Sequence, residues 1–225
     1  MLVQGRFFQP FNLVDYPLDH QTLSISVEDS NWGEDKLVYV PDQTDSGYGA
    51  MLKIPGWNLE GWRMQSTVQD YASRFGETGK NAAARYAGLE FELVMARPIS
   101  YFLWKLLLPL VIVLTANWLV LLLKPEHIEV RTALPATALL TLVFLQKSYS
   151  DTLPAIGALV LMDKIYVVAY VLVIATMVQV IATAKWSRLK VEQAVVIRMD
   201  RRSLMIQTAV FAATVALLAL TISKA

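Results

Sequence analysis

Cysteine is absent from the 225 residues, which excludes a disulfide framework and thiolate metal sites. Histidine is nearly absent: with only His20 and His127, a histidine-rich metal centre is not expected. Neither sign of charge prevails, since 20 basic residues face 19 acidic ones for a net +1. A nucleic-acid binder would instead show a strongly basic domain, so no nucleic-acid partner is expected. Charge itself is scarce, at 17% against roughly 25% in a typical soluble domain. Nucleophile elbows, phosphate loops and metal motifs are missing too, which argues against an enzyme and against any cofactor. What is abundant is apolar: 55% of residues are hydrophobic and the mean hydropathy is +0.43. This is the profile of a membrane protein.

The averages conceal two unlike parts. Residues 1–100 carry charges, turns and tryptophans at ordinary density, and after Tyr101 the chain is apolar almost continuously. In the first part, Leu23, Ile25 and Val27 alternate with Ser24, Ser26 and Glu28, the period of a half-buried strand. Leu89, Phe91, Leu93 and Met95 alternate likewise with Glu90, Glu92 and Val94. Leu37–Val40 and Trp62–Val68 are further strand candidates, separated by turn-rich stretches such as Pro41–Gly47. The expectation is an all-β unit over 1–98, a partial immunoglobulin-like sandwich.

Residues 99–225 hold four apolar spans, at about 101–123, 129–148, 157–184 and 203–223, which predict a four-helix transmembrane bundle. The second span contains Thr137, Thr141 and Pro135 and ends in charges, so it suits a place shielded by the other helices or lining water better than one facing lipid. Between the third and fourth spans lie Lys185, Arg188, Lys190, Arg198, Arg201 and Arg202 against Glu192 and Asp200, whereas 148–156 has no basic residue. The positive-inside rule then predicts a multi-pass protein of the cell membrane with the β unit and both termini extracellular or periplasmic.

At about 100° per residue, Ala133, Thr137, Phe144, Lys147 and Asp151 fall within about 60° of Leu140, and Glu129 extends the stripe. The opposite face reads Leu134, Ala138, Leu142 and Leu145. Charges at the ends and apolar residues between them suit a gated pore: charged rings attract ions, and an apolar constriction closes by dewetting. Alternatively, Thr137 and Thr141 hydrogen-bond within the bundle and the charges sit at the interfaces.

Several motifs in order carry a family resemblance. Phe11–Gln21 contains the Tyr16-Pro17-Leu18-Asp19 core; Ala96-Arg97-Pro98, Leu108-Pro109, Glu129–Leu145, Leu153-Pro154 and Leu161-Met162-Asp163-Lys164 follow. Together they make the chain similar, over essentially its whole length, to the pentameric ligand-gated ion channels of the Cys-loop receptor superfamily. Gln9 and Leu23 occupy the positions of the animal receptors' loop cysteines, which points to the prokaryotic branch. Family subunits begin with a ten-strand sandwich, and this chain begins near the sixth strand, so it reads as N-terminally incomplete.

The resemblance implies a homo-oligomer, most naturally a pentamer, in the lipid bilayer, passing inorganic ions in answer to an unidentified extracellular ligand. The pore would be lined by Glu129, Ala133, Thr137, Leu140, Phe144, Lys147 and Asp151, gated at Leu140 and Phe144. Glu129 at the cytoplasmic mouth implies cation preference; the plain alternative is a helix-start glutamate favoured by the dipole. Lys147 departs from the family pattern, opposing cations or snorkelling toward Asp151. Asp19 and Arg97 match the coupling junction between the two domains, unless they are unrelated surface charges. Tyr71, Phe75 and Tyr86 match the loop that caps agonists, where aromatics cage a cation; Phe75 is equally suited to packing. The rival reading is a non-conducting four-helix scaffold or truncated pseudosubunit.

Overall fold

The computed structural model describes residues 5, 8–29, 32–72, 85–154, 157, 159–189 and 192–222. Three strands, β1 (His20–Glu28), β2 (Asn58–Asp70) and β3 (Arg85–Ala96), form an antiparallel sheet in the order β1-β3-β2. The central strand β3 sets the register, with Ile25 opposite Phe91 and Leu93 opposite both Leu23 and Trp62. Period-two alternation therefore collects the apolar side chains of all three strands on one face. There Leu93 and Met95 are buried, and the Trp62 ring stacks on Phe91 with centroids 5.7 Å apart. Ile25 and Val27, on the same face at the β1 edge, stay exposed. The other face is polar: Arg63 Nε donates to Glu92, and Gln65 Nε2 to Glu90 at 3.1 Å. Gly88 sits where β2 crowds β3, since a Cβ there would lie 2.9 Å from Thr67 Oγ1.

The strand expected at Leu37–Val40 is not formed. Its approach is taken up by a turn in which Lys36 and Leu37 both donate to the Gly33 carbonyl, and Val38 and Val40 are exposed. Four residues with both valines in solvent bury too little to hold a strand. The Pro41–Gly47 stretch does turn, around Asp42. Its Oδ1 accepts from Thr44 Oγ1 at 2.7 Å and from the Thr44 and Asp45 amides, holding the carboxyl below the usual aspartate range.

Four helices follow, each long and apolar enough to cross a membrane: α1 (Ile99–Leu122), α2 (Ile128–Ser150), α3 (Leu161–Arg188) and α4 (Gln193–Ile222). A three-stranded antiparallel sheet leading into four apolar helices fits the partial sandwich and transmembrane bundle. The protein is a multi-pass membrane protein. Helix α1 opens with a wide π turn at Phe102–Leu107 just before Pro109, whose ring would clash with the carbonyl of Lys105 in a regular helix. Helix α4 starts ten residues before the apolar run, because the apolar run marks hydrocarbon and the helix itself continues through the charged 193–202 stretch.

The chain divides into two compact units, one of 1–12 and 20–98, the other of 13–19 and 99–225. Leu13–Asp19 therefore belongs with the helices. Leu13 and Tyr16 are buried in the same core as Phe102, Leu106, Leu110, Leu114, Leu142 and Ile165. Tyr16 donates its hydroxyl to that of Tyr101 at 3.1 Å.

Candidate functional site

Helix α2 has two sharply different sides. Arg131, Pro135, Ala138, Leu142 and Tyr149 are buried, and with Leu142 as zero they lie within about 40° of one another's line. The seven residues read as a pore stripe, Glu129, Ala133, Thr137, Leu140, Phe144, Lys147 and Asp151, lie about 140–180° away and are exposed. Leu140 is 57% and Phe144 65% exposed, as are Ile112 (59%), Val171 (60%) and Leu217 (65%) on the other helices; what marks the α2 face is the threonine and the end charges that share it. The expected apolar back is present at Ala138 and Leu142, while Leu134 is turned about 80° off that line and is exposed. Of the apolar window of α2 22% is buried, against 39% for α1 and α3 and 11% for α4, so within this chain α2 is not shielded by its neighbours.

The polar groups of the stripe look after themselves. Thr137 and Thr141 donate to the carbonyls of Ala133 and Thr137 at 2.9 and 2.8 Å, one turn back on their own helix, and bond to no neighbouring helix. Lys147 pairs with Asp151 at 2.5 Å, so the two charges at the C-terminal end of α2 largely cancel. Glu129, in the first turn of α2, makes no ion pair among the described residues. It is the net charge of the stripe.

At the C-terminal end of α2, Tyr149 donates to Asp163, whose other oxygen accepts from the Val160 amide at 3.1 Å. The Tyr149 ring stacks on Tyr166 at 5.3 Å, and Tyr170 donates to Gln146 at 2.6 Å. The Leu161–Lys164 motif thus ties the start of α3 to the end of α2. At the other end, Arg131 pairs with Asp200 of α4 at 2.6 Å, both side chains being 1% exposed. Gln179 of α3 donates to the second Asp200 oxygen at 3.1 Å. A polar seam runs on from there: Ser203 accepts from Gln207, Gln207 accepts from Trp118 and Thr176, and Thr176 accepts from Asn117. Neither the Arg131–Asp200 pairing nor the polar seam was singled out from sequence. The available signal was polar residues at helical spacing within apolar spans, Thr176/Gln179/Thr183 and Ser203/Gln207.

Of the residues matched to the coupling junction, Asp19 is buried within the helical unit. Arg97 lies in the sheet unit with its guanidinium 4.2 Å from the Trp57 ring centre. Around the residues matched to the agonist loop, Tyr71 donates to Glu28 at 2.6 Å, which raises the Tyr71 pKa above its ordinary value, and its ring meets Tyr86 edge-on at 6.0 Å. Tyr86 is buried, and Arg85 beside it pairs with Asp70 at 3.0 Å and Glu34 at 3.2 Å. Phe75 lies outside the described residues. Gln9, at a cysteine position, holds β1 through its amide: it donates to the Thr22 carbonyl at 2.6 Å and accepts from the Ser24 amide at 2.8 Å. Gln21 does the same for Asn12, donating to its carbonyl at 2.7 Å and accepting from its amide at 3.2 Å.

No family model matches the chain. Among known proteins it is similar to a glutamate-gated chloride channel of Drosophila melanogaster, 24% identical over 66% of this chain and 30% of that protein. It is also similar to a gamma-aminobutyric acid receptor subunit beta of Lymnaea stagnalis, 24% identical over 75% of the chain and 32% of the relative. A pH-sensitive chloride channel 2 of Drosophila melanogaster is 20% identical over 79% and 34%. The chain spans about a third of the length of these curated relatives. They are ligand-gated channel subunits rather than enzymes, and they support the superfamily to which the motifs point. All three are animal proteins, so they lend the prokaryotic branch no support. Two are named as chloride channels, which conflicts with cation preference.

Proposed function

We propose that the chain is a subunit of a pentameric ligand-gated ion channel whose pore is lined by α2. The observation that carries this reading is the exposed stripe of α2. It has Glu129 at one end, the Lys147–Asp151 pair at the other, and Leu140 and Phe144 bare between them. A face that is apolar mid-way and charged at its ends is costly in isolation and useful around water, where it gates by dewetting. Residues 1–98 form the extracellular part and 99–225 the membrane part, with the basic 185–202 segment cytoplasmic. Asp19 and Arg97 couple the two parts, and Tyr71, Phe75 and Tyr86 contribute to ligand capture. Gating is tested by Leu140→Ser: hydrating the constriction raises resting conductance in reconstituted protein, whereas a silent, well-assembled variant supports the non-conducting scaffold.

Two readings of ion preference each have an observation behind them. Glu129, without an ion pair among the described residues, and the mutual cancellation of Lys147 with Asp151 support cations. The chloride channels among the relatives support anions. Reversal potentials in a salt gradient separate them, and Glu129→Ala shifts the potential toward that of chloride only under the first. Placement in the prokaryotic branch rests on the missing loop cysteines alone.

A further inference from the structure

We propose that Asp200 of α4 is a positioning residue for ion preference: it cancels Arg131 behind the mouth residue Glu129 and so leaves the mouth negative. The inference rests on the channel reading above and adds to it a determinant outside the pore stripe. Glu129 and Arg131 are two residues apart on α2, about 3 Å along the axis and on opposite sides of the helix. They occupy the same level, one exposed and one buried. Arg131 is also the fourth residue of its helix, where the positive end of the dipole already disfavours a cation.

Its compensation is narrow. Asp200 holds the Nη2 atom at 2.6 Å, while Nε and Nη1 of Arg131 are buried with no hydrogen-bond partner among the described residues. Asp200 in turn spends its second oxygen on Gln179 at 3.1 Å. With all three groups ionised, each subunit contributes one net negative charge at this level: Glu129 and Asp200 against Arg131. Without the Asp200 charge, Glu129 and Arg131 cancel to zero. A guanidinium buried at 1% exposure is beyond the reach of pore salt, so its field crosses the helix little screened. Across a helix diameter of about 10 Å, at an effective dielectric of about 30, one such charge changes the local cation concentration about sixfold and the anion concentration as much in the opposite sense, so their balance changes about fortyfold.

The experiment uses the full chain reconstituted in planar bilayers under a sodium chloride gradient, in a Leu140→Ser background that opens without a ligand. Thermal melting and size-exclusion profiles of the same variants are taken alongside. Asp200→Asn is expected to lower the ratio of cation to chloride permeability more than about tenfold, up to about fortyfold. Asp200→Glu and the double variant Arg131→Gln/Asp200→Asn are expected to keep the ratio of the Leu140→Ser background. If Asp200→Asn does not assemble by itself, co-expression with Asp200-containing subunits at rising dose is expected to lower the ratio in steps. An unchanged ratio at every dose, with a lowered melting temperature, makes Asp200 a structural tie only and overturns the proposal. A Leu140→Ser background that assembles and passes no ions overturns the channel reading instead.

Discussion

The sheet and the helical bundle each hold an arginine–carboxylate pair, and the two pairs live in different physical regimes. Arg63 and Glu92 face one another across β2 and β3, with the arginine side chain 63% exposed and the glutamate 10%. Arg131 and Asp200 join α2 to α4 with both side chains 1% exposed. Water can replace the partner of Arg63, whereas Glu92 is largely buried and depends on the arginine, so this pair is solvated on one side only. Nothing can replace the partner of Arg131, so that pair works only while complete. A polar group inside the bundle thus decides how helices are assembled, and one on the sheet surface mainly decides solubility.

The contrast is broken most strongly at Arg131. Arg131→Gln strands the Asp200 charge and is expected to cost about 3–5 kcal/mol, read as a drop in thermal midpoint in detergent, while Arg131→Gln/Asp200→Asn returns close to the parent. Next is Gln207→Leu, which removes an acceptor shared by Trp118 and Thr176 and a donor to Ser203. About 1–2 kcal/mol is expected there, as for interhelical hydrogen bonds in membranes, checked by the same melt. Arg63→Ala on the sheet should cost about 1 kcal/mol, less than Arg131→Gln, because the arginine is mostly solvated and its removal opens the buried Glu92 to water. A loss equal to that of Arg131→Gln would erase the distinction between the two regions.

Smaller still is the stability effect of Leu140→Ser, within about 0.5 kcal/mol because the side chain is already exposed. Conductance, not melting, is where that variant should show itself. Last comes the Asp42 turn, which sharpens the sheet side by pH. Its carboxyl is held below the ordinary value of 3.8, first by the Thr44 hydroxyl. The turn's contribution is therefore fully present above pH 3.8 and is lost as pH falls through the lower folded value. The Thr44 amide resonance should move in that acid range, and in Asp42→Asn it should not.

How far the sequence could be read follows from the same contrast. The alternation at Leu23–Val27 and Leu89–Met95, and the apolar runs after Tyr101, report where side chains meet water or hydrocarbon, and those elements are present. The exposed and buried sides of α2 were visible as a period, because 3.6 residues per turn put Leu140 and Leu142 on opposite faces. Leu37–Val40 misled because a short apolar run carries no record of whether a neighbouring strand is there to receive it. The boundary of α4 was missed because Arg198, Arg201 and Arg202 end the apolar run without ending the helix. Arg131 and Asp200 are 69 residues apart, one a charge bounding the second span and the other an acidic residue in the basic 185–202 connection. Only the fold, in which the two side chains reach one another from α2 and α4, reveals that they are buried together.

The amide of Gln9 gives the loop a closure of a different thermodynamic kind from a covalent one. Its two hydrogen bonds straddle Leu23 and so rejoin the chain 13 residues on, around Leu13 and Tyr16, which are packed among the helices. A disulfide around a loop of this size would remove about 3 kcal/mol of chain entropy from the unfolded state and would answer to the redox potential. Two amide hydrogen bonds contribute about 1 kcal/mol each, and they open and reform at equilibrium. The latch is therefore indifferent to reductants and graded with temperature. How firmly β1 grips the loop is a population, adjustable by any bound group that competes for the Thr22 carbonyl or the Ser24 amide.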